Sequence, residues 1–318
     1  LNPALFAAAT SSTVTSGRAT TITVGPALGT GDRVEEVISI DPDYSTRKGY
    51  EPGFLGKGFN VTLPSLSDAM KRRAAVSQQP QAGHPAYVLP YHHFSVVVSK
   101  ERQIAFFTAV NIDGSISHRI KREPDKWIYD PRIERTEQLG NEIYQTNALD
   151  RGHLVRRLDP AWGESLEVAK TGNDDTFHFT NCSPQHENFN HNDATWAGLE
   201  DYILNNAIAE NLRVTVFSGP VFARTDPPYR GAKLPKQFWK VVSMVTDQHK
   251  LSATAYLLSQ ASLLQDLESL EFVFGAYRTF QVPVDRIERL TGLSFGRLGA
   301  HDPLGNRSGG EIGRESTA

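Results

Sequence analysis

The sequence predicts an α+β fold with a central antiparallel sheet flanked by helices. Residues 94–98 and 104–112 are rich in β-branched and aromatic residues and are separated by a short polar stretch, which is typical of paired strands. Both segments are mostly apolar, so we expect them to be buried on both faces in the middle of the sheet. Antiparallel strands interleaved with a few helices define the α+β class.

The remaining elements follow from the same patterns. β-Branched and apolar runs predict further strands at 176–179, 213–218, 238–245 and 252–258. Helices are predicted over 260–270, 284–290 and 193–209, the last because four apolar residues share one face at helical spacing: Trp196, Leu199, Ile203 and Ala207.

The chain is predicted to have three parts. Residues 1–85 are expected to form a partly irregular N-terminal extension, because 1–30 are rich in Ala, Thr, Ser and Gly and 77–84 are rich in Gln and Pro. The main domain is expected over 86–300, and 301–318 form a C-terminal tail.

Composition excludes several classes of protein. A chain of 318 residues with 39% hydrophobic residues can bury a substantial core. The net charge of −3 means that a polyanionic partner would have to be held by local basic patches. Cys182 is the only cysteine, so no disulfide can form within the chain. The sequence lacks the run of about eighteen apolar residues that a membrane-spanning helix needs. We therefore expect a soluble protein, and the sequence leaves open whether it is cytoplasmic or secreted.

A short polar stretch carries the clearest chemical signal. Asp150, Arg151, Gly152 and His153 are followed about thirty residues later by 180–185, and then by Asn190. Cleaving a phosphodiester requires a base for water, positive charge for the phosphate and stabilisation of the leaving oxygen. A neutral histidine can act as the base, arginines offer forked donors to phosphate oxygens, and an Asn oxygen can bind a hydrated Mg²⁺ ion. These residue types therefore predict a nuclease.

The same residues resemble the DNA/RNA non-specific endonuclease family, whose members have a ββα-metal active site. Five blocks match in order and spacing, at 150–154, 180–185, 189–190, 196–200 and 218–220, and the resemblance covers roughly 86–298. It implies metal-dependent hydrolysis of DNA and RNA to 5′-phosphate products, with little sequence preference because contacts to the nucleic-acid backbone carry no sequence information. The implied cofactor is Mg²⁺, which Mn²⁺ or another divalent ion can replace, and many members are homodimers.

The resemblance also implies roles for individual residues. His153 would be the general base and Asn190 the single direct metal ligand. Glu200 would hold metal-bound waters, and Asn181 would support the site. Arg151 would lie beside the phosphate. A further phosphate-binding position would be filled by Arg122 or, as the alternative, by Lys121.

The chain departs from the family pattern in two places. Asn190 and Glu200 are ten residues apart, whereas related enzymes place them eight apart; on one helix the extra pair would rotate Glu200 off the shared face. We expect a bulged or capped helix start near residues 192–193 to absorb it. Leu204 stands where relatives often carry an arginine, so Arg156 or Arg157 is predicted to bind the phosphate instead.

Three alternatives remain open from the sequence. A catalytically weak nucleic-acid-binding member of the same fold would keep these residues. Residues 292–296 match the nucleophile elbow of serine hydrolases, with Ser294 as the nucleophile, although only His301 and Asp302 follow, in the wrong order. A zinc site is a weaker alternative, because its candidate ligands lack paired metal-ligand spacing: His178, Cys182, His186 and His191.

Overall fold

A seven-stranded antiparallel sheet forms the centre of the protein, with strand order β1-β2-β3-β6-β9-β10-β11. The computed structural model describes residues 40–122, 124–191, 196–265 and 278–305. Within them the strands are β1 (Leu89–Pro90), β2 (Phe94–Ser99), β3 (Ile104–Asp113), β4 (Leu149–His153), β5 (Cys182–His186), β6 (Arg213–Val221), β7 (Pro228–Tyr229), β8 (Ala232–Lys233), β9 (Gln237–Val245), β10 (Leu251–Ser259) and β11 (Arg278–Val282).

The helices of the described residues are α1 (Asp68–Arg73), α2 (Leu166–Asp175), α3 (Glu187–Asn190), α4 (Trp196–Ala209) and α5 (Val284–Thr291). Local sequence sets several of their ends. The Ser165 side chain caps α2 by accepting from the Val168 amide, and α5 ends at Gly292, whose φ of 73° is a left-handed conformation that glycine adopts without strain. Among these residues, no helix combines the length and the apolar character that crossing a bilayer requires.

The central sheet is buried on both faces, as its apolar strands predicted. Val96 and Val110 belong to the hydrophobic cluster on one face, where α4 packs. Val97 and Ala109 belong to the cluster on the other face, where α5 packs. This alternation of side chains between two apolar layers explains why β2 and β3 are mostly apolar and buried at every position. The α+β class and the strands predicted over 94–98, 104–112, 213–218, 238–245 and 252–258 are confirmed.

The N-terminal segment shares the core of the sheet. Tyr44 lies in the cluster on the α4 face. Tyr50, Phe54 and Met70 lie in the cluster on the α5 face. The division of the chain at residue 85 stays a prediction, and the segment that precedes it contributes buried side chains from residue 44 onward.

Some predicted elements differ from the structure. The strand predicted over 176–179 is wrong: Thr176 and Phe177 close the end of α2 by bonding back to the carbonyls of Asn173 and Asp174, and only His178 forms a single bridge, to Ile128. The apolar residues there are buried by tertiary contacts rather than by sheet pairing. Of the helix predicted over 260–270, the structure has a 3-10 turn at Leu263–Gln265, and 266–270 lie outside the described residues. The predicted helix over 284–290 is confirmed as α5.

A separate two-stranded sheet, followed by two helices, carries the candidate site. β4 pairs antiparallel with β5, with His153 opposite Cys182 and Asp150 opposite Gln185. α3 follows β5 directly, and α4 packs on the large sheet through Trp196 and other apolar residues. The predicted start of α4, at residues 192–195, lies outside the described residues, as does the bulged or capped turn expected there.

Candidate active site

His153 ends β4 in a largely apolar pocket. The indole ring of Trp127 lies 4.6 Å from the imidazole, centroid to centroid, and the ring of Phe177 lies 5.0 Å away in a T-shaped arrangement. The imidazole Nε2 is buried and has no hydrogen-bond partner among the described residues. Burial lowers the pKa of His153 to about 3, and the guanidinium groups of Arg122, Arg157 and Arg156 act in the same direction. The imidazole is therefore neutral at physiological pH.

Three of the arginines predicted to lie near the phosphate form one group beside His153. Arg122, Arg156 and Arg157 lie close enough to His153 to disfavour its protonated form. Arg157 donates to the Ile120 carbonyl at 2.9 Å, and Arg156 forms an ion pair with Asp201. Three positive groups around one neutral imidazole can attract a phosphodiester.

Arg151 is held apart from the other arginines. Its guanidinium donates to Asn141 Oδ1 at 2.9 and 2.7 Å, and it lies 5.2 Å from the ring centre of Tyr144. The described structure therefore does not bring Arg151 into the group around His153.

Gly152 is required by packing across β4 and β5. A Cβ atom at this position would lie 2.1 Å from Oε1 of Gln185. The Gln185 side chain is fully buried, so it has little room to move away. Glycine between Arg151 and His153 thus lets β5 approach β4 closely.

Asn190 ends α3 beside Asp150 of β4. Its Nδ2 donates to Asp150 Oδ2 at 3.2 Å, and His191 Nε2 lies 3.2 Å from the same oxygen. Because the carboxylate only accepts hydrogen bonds, it fixes which end of the Asn190 carboxamide faces it. The carboxamide oxygen Oδ1 is then left to bind a cation. No role for Asp150 was predicted from the sequence, although this residue belongs to the block at 150–154 that resembles the endonuclease family.

Glu200 lies inside the protein rather than on a solvated helix face. Its side chain is 9% exposed, and its Oε1 is 3.1 Å from Nζ of Lys240. This contact is an ion pair and does not have the alignment of a good hydrogen bond. Burial raises the pKa of Glu200 to about 7, the positive charge of Lys240 opposes that rise, and the negative charge of Asp159 adds to it.

Asn181 supports the chain that follows His153. Its Oδ1 accepts from the Val155 amide at 2.9 Å. Its Nδ2 donates to the carbonyls of Val155 and Thr176 at 2.9 and 3.0 Å. Both ends of the carboxamide are thus bonded to backbone, which fits a positioning role rather than contact with a reacting group.

β4 and Leu154, the residue after it, contact three other elements of the site, α3, α4 and β9. Asp150 binds Asn190, and the His153 carbonyl accepts from Trp196 Nε1 of α4 at 3.0 Å. The Leu154 carbonyl accepts a hydrogen bond from Nζ of Lys240, which also forms an ion pair with Glu200. Trp127 also belongs to the site, and no motif in the sequence marked it.

The two alternative chemistries do not fit the structure. Ser294 forms a bridge with Ser65, and its turn follows α5 instead of a strand; the nucleophile elbow requires a strand before the serine and a helix after it, so the serine-hydrolase alternative is wrong. The zinc candidates bond to separate partners; for example, His178 Nε2 lies 2.7 Å from the Tyr44 hydroxyl and Cys182 Sγ 3.0 Å from the Tyr144 hydroxyl. Across the described residues, no three potential His, Cys, Asp or Glu ligands form a cluster.

Comparison with known proteins agrees with this arrangement. The family model for DNA/RNA non-specific endonucleases matches residues 74–300. The chain belongs to that family. Its fold is similar to that of a chain in the crystal structure of the EndoG/EndoGI complex, with a TM-score of 0.52, 19% identity, and coverage of 65% of this chain and 84% of that chain.

Several relatives are similar over only part of their length. An uncharacterized protein from Sinorhizobium fredii, y4fB, is 41% identical over 79% of this chain and 39% of its own length. A nuclease from Nostoc sp. is 24% identical over 66% of this chain and 73% of its own. Human mitochondrial endonuclease G is 25% identical over 52% of this chain and 54% of its own. The chain thus spans well under two thirds of the Sinorhizobium and human relatives.

Proposed function

We propose that the protein is a metal-dependent endonuclease that hydrolyses DNA and RNA with little sequence preference. The observation that carries the proposal is the His153 imidazole, neutral and shielded, whose Nε2 has no partner among the described residues while three arginines surround it. A buried polar atom without a partner costs about 1–3 kcal/mol, and a catalytic role gives a reason for keeping it.

The residues near Asn190 fit a divalent cation. Asp150 holds the Asn190 carboxamide through Nδ2, and oxygen donors with a nearby carboxylate suit Mg²⁺ or Mn²⁺. Asn190 would hold the ion directly and Glu200 through water. When bound, the ion would supply charge stabilisation for the phosphate and the leaving 3′ oxygen.

The protein's own groups would then act as follows. Arg122, Arg156 and Arg157 bind non-bridging phosphate oxygens, and His153 Nε2 accepts a proton from the attacking water, which leaves the 5′ phosphate on the product. The negative charge of the substrate offsets the three guanidinium charges and so raises the pKa of His153 when the base has to accept its proton. These contacts address the nucleic-acid backbone, which explains low sequence preference.

Purified protein should convert supercoiled plasmid to nicked and linear forms, and degrade RNA, in millimolar Mg²⁺ or Mn²⁺. EDTA should stop both reactions. End-labelling of the products should find 5′ phosphates. Binding of plasmid without cleavage would favour the catalytically weak nucleic-acid-binding alternative, and neither binding nor cleavage would refute the proposal.

A further inference from the structure

Lys240 is a charged residue at the centre of the apolar sheet. It lies in β9 directly opposite Ser218 of β6, and its side chain is 1% exposed. Lysine is almost never buried to this degree unless its charge is paired.

The Lys240 ammonium group contacts three segments of the chain, which are α4, the residue after β4, and β6. Nζ lies 3.1 Å from Glu200 Oε1 of α4, donates to the Leu154 carbonyl at 3.3 Å and to Ser218 Oγ at 3.1 Å, and lies 4.1 Å from the ring centre of Trp196. Leu154 directly follows His153, so one ammonium group joins Glu200 to the strand that carries the candidate base.

The counter-charge for Glu200 cannot come from the next turn of its own helix. Leu204, one turn after Glu200, is 3% exposed and lies in the apolar cluster between α4 and the sheet. A charged side chain there would be buried in hydrocarbon at a cost of several kcal/mol. Lys240 reaches Glu200 from the opposite side of this interface.

Stability alone does not account for a buried pair of this kind. Apolar residues of similar size at both positions are often neutral or stabilising, because two charges lose their hydration when they are buried. A geometric role explains the pair better: the fixed ammonium group determines where the Glu200 carboxylate lies relative to His153.

We propose that Lys240 is a positioning residue that holds the Glu200 carboxylate against the end of β4. The inference rests on the proposed function, because it assumes that Glu200 acts on the bound ion through water. Lys240 itself contacts neither ion nor substrate. Its effect on metal binding should therefore depend on the presence of Glu200.

A double-mutant cycle with Mn²⁺ as the probe tests this dependence. The variants are Lys240→Met, Glu200→Gln and the double variant, and Mn²⁺ affinity is measured by electron paramagnetic resonance without nucleic acid. Each single variant should bind Mn²⁺ about tenfold more weakly, as is typical when an outer-shell partner is lost. The double variant should bind no more weakly than Glu200→Gln alone. A tenfold additional loss in the double variant, or wild-type affinity in Lys240→Met, would overturn the inference.

A control variant and a second comparison keep the experiment decisive. Ser218→Ala removes another partner of Nζ and leaves Glu200 in place, so its Mn²⁺ affinity should stay within about twofold of wild type. If Lys240→Met does not fold, the double variant, in which both members of the pair are neutral, is compared with Glu200→Gln; equal affinities support the inference and a further tenfold loss overturns it.

Plasmid cleavage by the wild-type protein is measured separately. Wild-type cleavage together with an additive cycle would refute the role of Lys240 and leave the proposed function intact. Absence of cleavage by wild-type protein that still binds Mn²⁺ would refute the function.

Discussion

Two polar clusters differ in how far their polar atoms are satisfied. The first contains Arg47, His92, Asp130, Arg132 and Asp175. Arg47 binds Asp175 through Nε and Nη2 at 2.8–3.1 Å, and His92 Nδ1 lies 2.7 Å from the same carboxylate. Arg132 binds Asp130 in the same forked manner. Both arginines and both aspartates of this cluster therefore have an oppositely charged partner, and we call it the structural cluster.

The second cluster is the candidate site, formed by Asp150, His153, Asn190, Glu200 and Lys240. Here His153 Nε2 has no partner among the described residues, and Glu200 Oε1 has an ion pair without an aligned hydrogen bond. A polar cluster in which every atom has a hydrogen-bond partner is rigid. A buried polar atom without such a partner lowers stability, so its presence needs an explanation other than stability. The difference agrees with the proposal that the first cluster supports the fold and the second carries out the chemistry.

Replacing the candidate base should have the largest effect. His153→Ala should lower plasmid cleavage by on the order of 10³-fold, because a general base contributes about 10²–10⁴-fold. Its free energy of unfolding should change by only about 1 kcal/mol, since Nε2 makes no hydrogen bond to lose. Cleavage rates and urea unfolding measure the two effects. His118→Ala, whose Nε2 contacts the Gly163 carbonyl at 3.0 Å, is the matched control and should cleave normally. Near-normal cleavage by His153→Ala would contradict the assignment.

Breaking the structural cluster should affect stability instead. Arg47→Met leaves the Asp175 carboxylate buried without its main partner, which should cost about 3–5 kcal/mol of unfolding free energy. Arg73→Met, which breaks an exposed ion pair with Glu101, is the control and should cost less than about 1 kcal/mol. Urea denaturation measures both. Equal losses in the two variants would contradict the structural role of the cluster.

The pH dependence of stability should reflect His93, a half-buried histidine next to His92. Burial lowers the pKa of His93 from its usual 6.5 to about 4. Between these values the unfolded chain binds a proton that the folded chain does not, so the free energy of unfolding falls as pH is lowered from 6.5 to 4 and is unaffected by this group above 6.5. About 1.4 kcal/mol per pKa unit, discounted for partial exposure, gives a loss of roughly 2 kcal/mol.

His93→Asn isolates that contribution. Asparagine tolerates the φ of 67° at this position, and other titrating groups change equally in both proteins. Urea unfolding at pH 7 and pH 4 should show a smaller acid-induced loss in the variant by roughly 2 kcal/mol. The same loss in both proteins would show that His93 does not titrate in this way.

The smallest predicted effect concerns the support of the metal ligand. Asp150→Ala should weaken Mn²⁺ binding about tenfold, because the Asn190 carboxamide loses the acceptor that orients it. Isothermal titration calorimetry measures the affinity. Asn190→Ala should weaken binding further, and His191→Ala, which removes the other neighbour of Asp150, should stay within about twofold of wild type. Unchanged affinity in Asp150→Ala would show that Asn190 needs no such support.

Much of the fold could be predicted because its signals are local. The apolar runs that became β2 and β3, and the helical spacing of Trp196, Leu199 and Ile203, encode burial directly. β4 and β5 were not predicted as strands, because a sequence such as Leu-Asp-Arg-Gly-His has neither alternation nor a β-branched run.

The sequence by itself determined the five longest strands of the large sheet, the family, and the identity of His153, Asn190 and Glu200 as candidates. Only the tertiary structure decided which groups meet: Trp127 against His153, Lys240 against Glu200, and Arg47 against Asp175, 128 positions away. The physical reason is that burial removes water, which makes the charge and hydrogen bonding of a side chain depend on neighbours distant in sequence. Glu200 shows this most clearly, because its position in the sequence gives no sign that it is a buried carboxylate paired with a lysine of the central sheet.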